Sequence, residues 1–424
     1  MNNMNYEEAL EYIHSVASLG SRPGLERITE LMHRLGDVQN KTKYIHVAGT
    51  NGKGSFSAML ESVLRAQGYK TGLFTSPHIQ RINERIKING VDLDDEAFAD
   101  VARRVAEAAD SMSDHPTEFE LLTAMAFVAF SEAECDFVVL ECGMGGRYDA
   151  TNIINTTVLS VITGISLDHT HILGTTVQAI AHEKSGIIKQ SVPVLYGGNS
   201  KTAFPVIAED AENHGSELLV ADQSLVADCK YDVSGTEFTY KAMKYNISLA
   251  GVYQPYNAAN VIEAVGLLRK YGVDISSEAL AYGLSHTVWQ ARFELIRHDP
   301  IVIYDGGHNP EGAQCVADSV VNCLGGRCVV VSGVLADKDH LGIAMNLADV
   351  AVRAYTVTPQ SKRALSAEHW ADDFRIYGVP AIACENFDEA IKKSFAYALK
   401  NDLPVVVTGS LYMYNDLKRA ILST

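Results

Sequence analysis

Positive charge is what this chain has least of. Lys and Arg number 35 against 52 Asp and Glu in 424 residues, a formal charge of −17. Such a surface repels a polyanion unless a basic patch is concentrated somewhere, and the sequence contains no such patch, so nucleic acid is excluded as an expected partner. The seven cysteines are dispersed and include no CxxC pair. That spacing excludes a disulfide framework and a cysteine zinc site, and leaves most of them as small buried apolar residues. No apolar run has the length needed to cross a bilayer, so no membrane partner is expected. The first residues, MNNMNYEEALEYIHSV, carry acids where a signal peptide has a basic start and a continuous apolar run. A cytoplasmic globular protein is the expectation. Any anionic ligand must be attracted by local cations and metal ions.

The length exceeds one typical core and suggests two domains. Short apolar runs alternate with amphipathic stretches, the mark of an α/β fold. TKYIHVAG reads as a strand. SFSAMLESVLRAQG reads as a helix with Phe56, Met59, Leu60, Val63 and Leu64 on one face. In the last third IVIYDGGHNP, RCVVVSGV, VRAYTVTP and LPVVVTGS are strand-like, with VPAIACENF as a further candidate. They make a second doubly wound unit. The seam is expected within HTVWQARFELIRHD, giving domains 1–293 and 298–424. The fold expected is a P-loop nucleotide-binding domain with a mainly parallel sheet, followed by a smaller Rossmann-like domain.

Between the first strand and helix lies VAGTNGKGS, almost a phosphate-binding loop. A strict GxxxxGK[ST] pattern aligned on Lys53 needs glycine at position 47 and a hydroxyl at 54, whereas the chain has Val47 and Gly54, and its hydroxyl arrives at Ser55. The strand–loop–helix setting favours phosphate binding, because amides at a helix N-terminus attract anions. FVVLECGMGG ends a buried-strand run in Glu141, where a Mg²⁺ ligand belongs beside a phosphate loop. VLSVITGISLDHTHILG repeats the pattern, with Asp168 and His169 after a strand. Asn309 and Pro310 read as a helix start, so Asp305 and His308 fall in a strand-to-helix loop.

These stretches resemble the Mur ligase superfamily, in which the extra glycine before the hydroxyl residue is usual, and within it the folylpolyglutamate synthase/dihydrofolate synthase family. PGLERITELMHRLG, TSPHIQRINERIKING, TEFELLTAMAF, ECGMGGRYDATNI, GISLDHTHILG, IAHEKSGIIK, GVYQPYNAAN, YDGGHNP and TGSLYMY follow the family order. The resemblance implies an ATP-dependent ligase that joins L-glutamate to a reduced folate or to dihydropteroate through an acyl phosphate. It implies Gly52, Lys53, Gly54 and Ser55 around the phosphates, and Asn257, Arg292, Asp305 and His308 as further ATP contacts. Two Mg²⁺ ions are implied, held by Ser55, Ser76, Glu141 and His169. Lys184 matches a lysine the family often carries as a carbamate, which supports the metal. Lys53, Lys184 and His169 are the expected catalytic residues, and a monovalent cation is a further expectation.

For the pteroyl group the resemblance points to Gly24 to Arg27, with Glu26 and Arg27, to Thr117, Phe119 and Glu120, and to Tyr148, Asp149 and Ala150. The loop from Ser76 to Ile86 covers them. Glutamate is placed near His308 and Ser410, ATP across a domain crevice, and the protein is expected to be a monomer. The chain departs from the family where Trp289-Gln290-Ala291-Arg292 replaces Trp-Pro-Gly-Arg, where Gly306 replaces alanine, and after the tyrosine of TGSLYMY. Two other readings stand beside this one. A ligase of cell-wall peptide precursors brings an additional N-terminal domain, for which a phosphate loop near residue 47 leaves no room. A nucleotide-binding protein without ligation chemistry has no use for Glu141, His169 and Lys184 together.

Overall fold

The computed structural model describes residues 4–20 and 22–424, which form two compact units. One comprises the described residues up to Ser224 together with Asn257–Leu284; the other comprises Leu225–Tyr256 and Ser285–Thr424. The single seam expected at 293–298 differs from this division, which groups 225–256 with the C-terminal part.

In the first unit the strands are β1 (Lys43–Ala48), β2 (Thr71–Phe74), β3 (Ile86–Ile88), β4 (Val91–Asp92), β5 (Phe137–Glu141), β6 (Thr157–Ile162), β7 (Val194–Tyr196) and β8 (Leu218–Val220). They form one sheet in the order β4-β3-β2-β5-β1-β6-β7-β8. From β2 to β8 the pairing is parallel, and β3 and β4 add an antiparallel edge. Every residue of β5 is buried, which is why FVVLE is almost continuously apolar: parallel strands are covered on both faces. The register sets Val47 opposite Glu141 and Ala48 opposite Ile162. The segments following β1, β5 and β6 therefore leave one sheet edge side by side, at the carboxyl ends where ligands bind in open α/β sheets.

The helix Lys53–Ala66 buries all five expected apolar residues. Burial does not stop at one face, because Ser57, Glu61 and Ser62 are covered too. The helix Ser277–Ser285 lies against it so closely that a Cβ on Gly283 would come within 2.5 Å of the Val63 Cα, and Ser62 Oγ donates to the Gly283 carbonyl at 2.9 Å. Glu61 is made tolerable there by accepting from Thr71 Oγ1 at 2.6 Å and Arg65 Nε at 3.1 Å. A further apolar cluster joins the helices Tyr6–Ser15, Glu26–Arg34, Asp95–Ala109 and Glu118–Glu132 through Ile13, Ile28, Phe98, Leu122 and Phe127.

The second unit opens with an antiparallel sheet of β9 (Ala227–Asp232), β10 (Gly235–Tyr240) and β11 (Met243–Ile247), ordered β11-β10-β9. It continues with β12 (Glu294–His298), β13 (Ile301–Asp305), β14 (Cys328–Ser332), β15 (Ala351–Thr356), β16 (Ala381–Ala383) and β17 (Val405–Thr408). These form a sheet in the order β12-β13-β17-β14-β15-β16, parallel except for β12. All five strand-like runs of the sequence are present in it. Among the described residues no helix is long and apolar enough to cross a membrane.

Candidate active site

The loop after β1 is held open by contacts that only glycine permits. Gly49 has φ +151°, and a Cβ there would lie 1.8 Å from Thr163 Oγ1. Gly52 has φ +87° and a Cβ would lie 2.6 Å from Asn257 Oδ1, so this asparagine is seated against the loop. Thr50 N donates to the Gly164 carbonyl at 2.7 Å, and Thr163 Oγ1 donates to the Asn51 carbonyl at 2.8 Å. The loop is thus tied to the segment after β6. The helix Lys53–Ala66 starts directly behind Gly52, with its first-turn amides and positive dipole end at the loop.

Two lysines converge on this loop. Lys53 Nζ donates to the Gly49 carbonyl at 3.0 Å and the Thr50 carbonyl at 3.2 Å, and lies 3.9 Å from Glu141 Oε1. Lys184, on the helix Val177–Ser185, is only 5% exposed, and its Nζ donates to the same Gly49 carbonyl at 2.6 Å. Burial, and after it the Lys53 ammonium, lowers the Lys184 amine to about 7, against opposing contributions from Cys142, Asp168 and Asp149. Glu141 Oε2 accepts from the Ser76 amide at 3.4 Å. Thr50, Lys53, Gly145, Asp168, His169 and Lys184 line one cavity. His169 sits at φ +48° at the start of the short helix Thr170–Leu173, is exposed, and donates its amide to Asp168 Oδ1 at 2.8 Å. Gly54 and Ser55 lie in the first turn of the phosphate-loop helix.

The residues expected to meet a pteroyl group divide. Arg27 and Glu120 are buried and paired at 3.1 Å, and Glu120 also accepts from the Thr117 amide and hydroxyl at 2.7 and 2.8 Å. This pair joins the starts of two helices. Asp149 is buried and its carboxylate accepts from Met144 N, Thr151 N and Thr151 Oγ1, which folds the turn after β5; burial raises its pKa while those hydrogen bonds oppose the rise. Ala150 is buried behind it. Phe119 packs against Gly143, where a Cβ would meet its ring at 2.5 Å. Glu26 and Tyr148 are the exposed members. Over Ser76 to Ile86 the chain closes on Glu84, whose carboxylate accepts from the amides of Ile79, Gln80 and Arg81.

In the second unit Arg292, Asp305, His308 and Ser410 gather at the carboxyl ends of β13 and β17, where Asp305 is opposite Thr408. Asp305 is buried; Oδ2 accepts from Tyr253 Oη at 2.6 Å and Phe293 N at 2.8 Å, and Oδ1 accepts from Gly307 N at 2.7 Å. His308 Nδ1 lies 2.9 Å from the Gly306 carbonyl. Arg292 Nη1 donates to the Ala291 carbonyl, and Ser410 Oγ caps the turn Leu411–Met413 by accepting from Tyr412 N.

The Mur ligase middle domain family matches residues 47–265, and the Mur ligase glutamate ligase domain matches 291–411. A Bacillus subtilis dihydrofolate synthase/folylpolyglutamate synthase is 35% identical over 98% of this chain and 99% of its own length. The chain belongs to the folylpolyglutamate synthase/dihydrofolate synthase family of Mur ligases. It is an ATP-dependent acid–amino-acid ligase. A Mycobacterium tuberculosis folylpolyglutamate synthase complexed with ADP and AMPPCP superposes with a TM-score of 0.88 at 30% identity, covering 99% of this chain and 98% of that one. An Escherichia coli FolC in complex with DHPP and ADP gives 0.85 at 30% identity, covering 99% and 98%.

The donor set of this family member suits Mg²⁺: Ser55, Ser76 and Glu141 offer oxygen, and Glu141 lies at the phosphate loop. Sequence reasoning did not anticipate the floor of the site. His46, buried in β1, holds Thr151 Oγ1 at 2.8 Å and lies 3.1 Å from Cys142 Sγ, and burial lowers its pKa to about 3. A neutral histidine inside an apolar strand was the only signal for it.

Proposed function

We propose that this ligase joins L-glutamate to a pteroyl acceptor, either dihydropteroate or a reduced folate, by phosphorylating the acceptor carboxylate. The observation that carries the reading is the pair of lysines on the Gly49 carbonyl beside Glu141. A site for nucleotide binding alone has no need of a second, buried lysine with a lowered pKa.

A carboxylate repels an incoming amine and has no usable leaving group. Transfer of the γ-phosphoryl to one carboxylate oxygen, with ADP leaving, supplies one. The glutamate amine then attacks the acyl carbon, phosphate departs with that oxygen, and the amine loses a proton. Lys53 and the loop amides hold the phosphoryl oxygens in line as charge gathers on them. Mg²⁺, when bound, neutralises that charge. Ser55, Ser76, Glu141 and His169 are the side chains that would hold two such ions. Asn257, Arg292, Asp305 and His308 are proposed as ATP contacts by resemblance.

Lys184 is proposed to act as a carbamate. CO₂ adds only to a neutral amine, and an amine lowered to about 7 is largely neutral at physiological pH. The product is an anion with two oxygens where an ammonium would repel the metal. The pteroyl group is proposed to meet Glu26, Phe119 and Tyr148; Arg27, Thr117, Glu120, Asp149 and Ala150 shape the walls behind them. Glutamate is proposed near His308 and Ser410, and the working form as a monomer; a monovalent cation rests on resemblance alone.

Purified protein with ATP, glutamate and each acceptor in turn tests the reading. Products heavier by one glutamyl residue, with ADP release requiring both acceptor and glutamate, are expected. ADP release independent of both, with no heavier product, contradicts it.

A further inference from the structure

Away from the ligase machinery, the second unit brings together His340, His369 and Asp373. Among the described residues this is the one cluster of three such side chains whose ligand atoms all lie within 4.8 Å of one another. His369 and Asp373 are one turn apart on the helix Ala367–Ile376 and share a face; His340 opens the neighbouring helix His340–Ala348. His340 Nδ1 lies 2.7 Å from Asp373 Oδ2, and the two imidazoles meet edge to face with centroids 5.4 Å apart.

Asp373 is the informative member. It is 2% exposed, and its carboxylate, which can accept about four hydrogen bonds, is paired among the described residues with the His340 ring. A cation in its shell stabilises a buried carboxylate. The two helix starts that carry the cluster are braced independently of it. Leu335 bridges Ala364, Ala336 N donates to the Arg363 carbonyl at 2.7 Å, and Arg363 pairs with Asp337 at 2.9 Å. The N-termini of the two helices are thus held near each other.

We infer that His340, His369 and Asp373 form a site for a divalent transition-metal ion of the Zn²⁺ class. Two imidazoles and one carboxylate suit such an ion better than Mg²⁺, which prefers a mostly oxygen shell and keeps several of its waters. Ligands about 2 Å from a tetrahedral ion are about 3.3 Å apart. His340 Nδ1 and Asp373 Oδ2 are 2.7 Å apart, somewhat closer than that, and His369, exposed at the rim, has a ring nitrogen within 4.8 Å of both. Water takes the fourth position from the solvent side. The bound ion clamps the helix that follows β14 to the helix that follows β15.

Calorimetric titration of the full-length protein with Zn²⁺, in excess Mg²⁺ to occupy hard-ion sites, tests the assignment. One Zn²⁺ per chain is expected, accompanied by a rise in melting temperature. His369→Ala changes an exposed side chain and keeps the core, and Asp373→Asn keeps shape while removing the charge. Each is expected to weaken the Zn²⁺ equivalent by ~10-fold or more and to abolish the thermal shift, with ligase turnover in Mg²⁺ retained by His369→Ala. Absence of a Mg²⁺-resistant Zn²⁺ equivalent in the wild type, or binding that survives either substitution unchanged, overturns the site.

Discussion

Both units place polar side chains at the carboxyl ends of parallel strands, and they treat them in opposite ways. In the second unit Asp305 is surrounded by the protein's own donors, Tyr253 Oη, Phe293 N and Gly307 N, all within 2.8 Å. Its carboxylate fixes the turn into the helix Pro310–Leu324. In the first unit two lysines crowd one backbone carbonyl, and the shorter contact belongs to the more buried of them. Burial, and after it the Lys53 ammonium, disfavours a second positive charge there, so the Lys184 amine gives up its proton readily. The Asp305 arrangement fixes a turn; the paired lysines line a cavity, where phosphate, metal and CO₂ are proposed to bind.

Substitutions can break that contrast, and the largest effect is expected at Glu141. Glu141→Gln keeps its shape but removes the charge beside Lys53, and turnover should fall by ~10²-fold or more with folding retained; near-normal turnover in a folded variant removes Glu141 from the chemistry. Lys184→Ala should lose most turnover, and Lys184→Arg should not restore it, because guanidinium keeps its charge and forms no carbamate. A ¹³C signal from ¹³CO₂ should appear in the wild type and be missing from Lys184→Arg; full activity in Lys184→Arg with no such signal dismisses the carbamate.

The pH dependence follows from the lowered amine. Below about 7 Lys184 takes a proton and cannot add CO₂; above it the neutral amine adds CO₂ with release of a proton. At fixed CO₂ pressure, turnover should therefore rise with pH through this range, in which the neutral fraction of the amine alone grows roughly tenfold from one unit below to one unit above. A flat profile in which Lys184→Ala is still inactive contradicts this origin of the dependence. In the second unit stability should move as well as any contact with ATP. Asp305→Ala leaves a buried hydroxyl and two amides without their acceptor, a cost of about 1–3 kcal/mol for each such group, seen as a lower denaturation midpoint. Gly306→Ala should cost least, about 1 kcal/mol, since the added Cβ meets the movable end of Leu411 at 2.2 Å and Arg292 Nη1 at 2.9 Å.

What could be read in the sequence was whatever depends on neighbours along the chain. The β1–loop–helix unit, the Glu141 strand end and the five C-terminal strand runs are continuous apolar stretches with turn residues at their ends, and all are present. The β9–β11 meander carries no apolar run: ADCKYD and MKYNI are mostly exposed, and GTEFTY buries only alternate residues. The buried pairing of Arg27 with Glu120 joins residues 93 positions apart, which no local pattern reveals. Lys184 is buried and meets the Gly49 carbonyl 135 residues earlier, again with no signal along the chain. The three donors to Asp305 come from positions 253, 293 and 307, which only the fold brings together.

Activation of the acceptor carboxylate by phosphorylation at the first unit is the centre of the account, and isotope transfer tests it most directly. With ¹⁸O placed in the acceptor carboxylate, turnover in ATP and glutamate should deliver one labelled oxygen per product into the released phosphate. Phosphate free of label, with all ¹⁸O retained in the amide product and unreacted acceptor, would contradict the acyl phosphate and with it the role assigned to Lys53, Glu141 and Lys184.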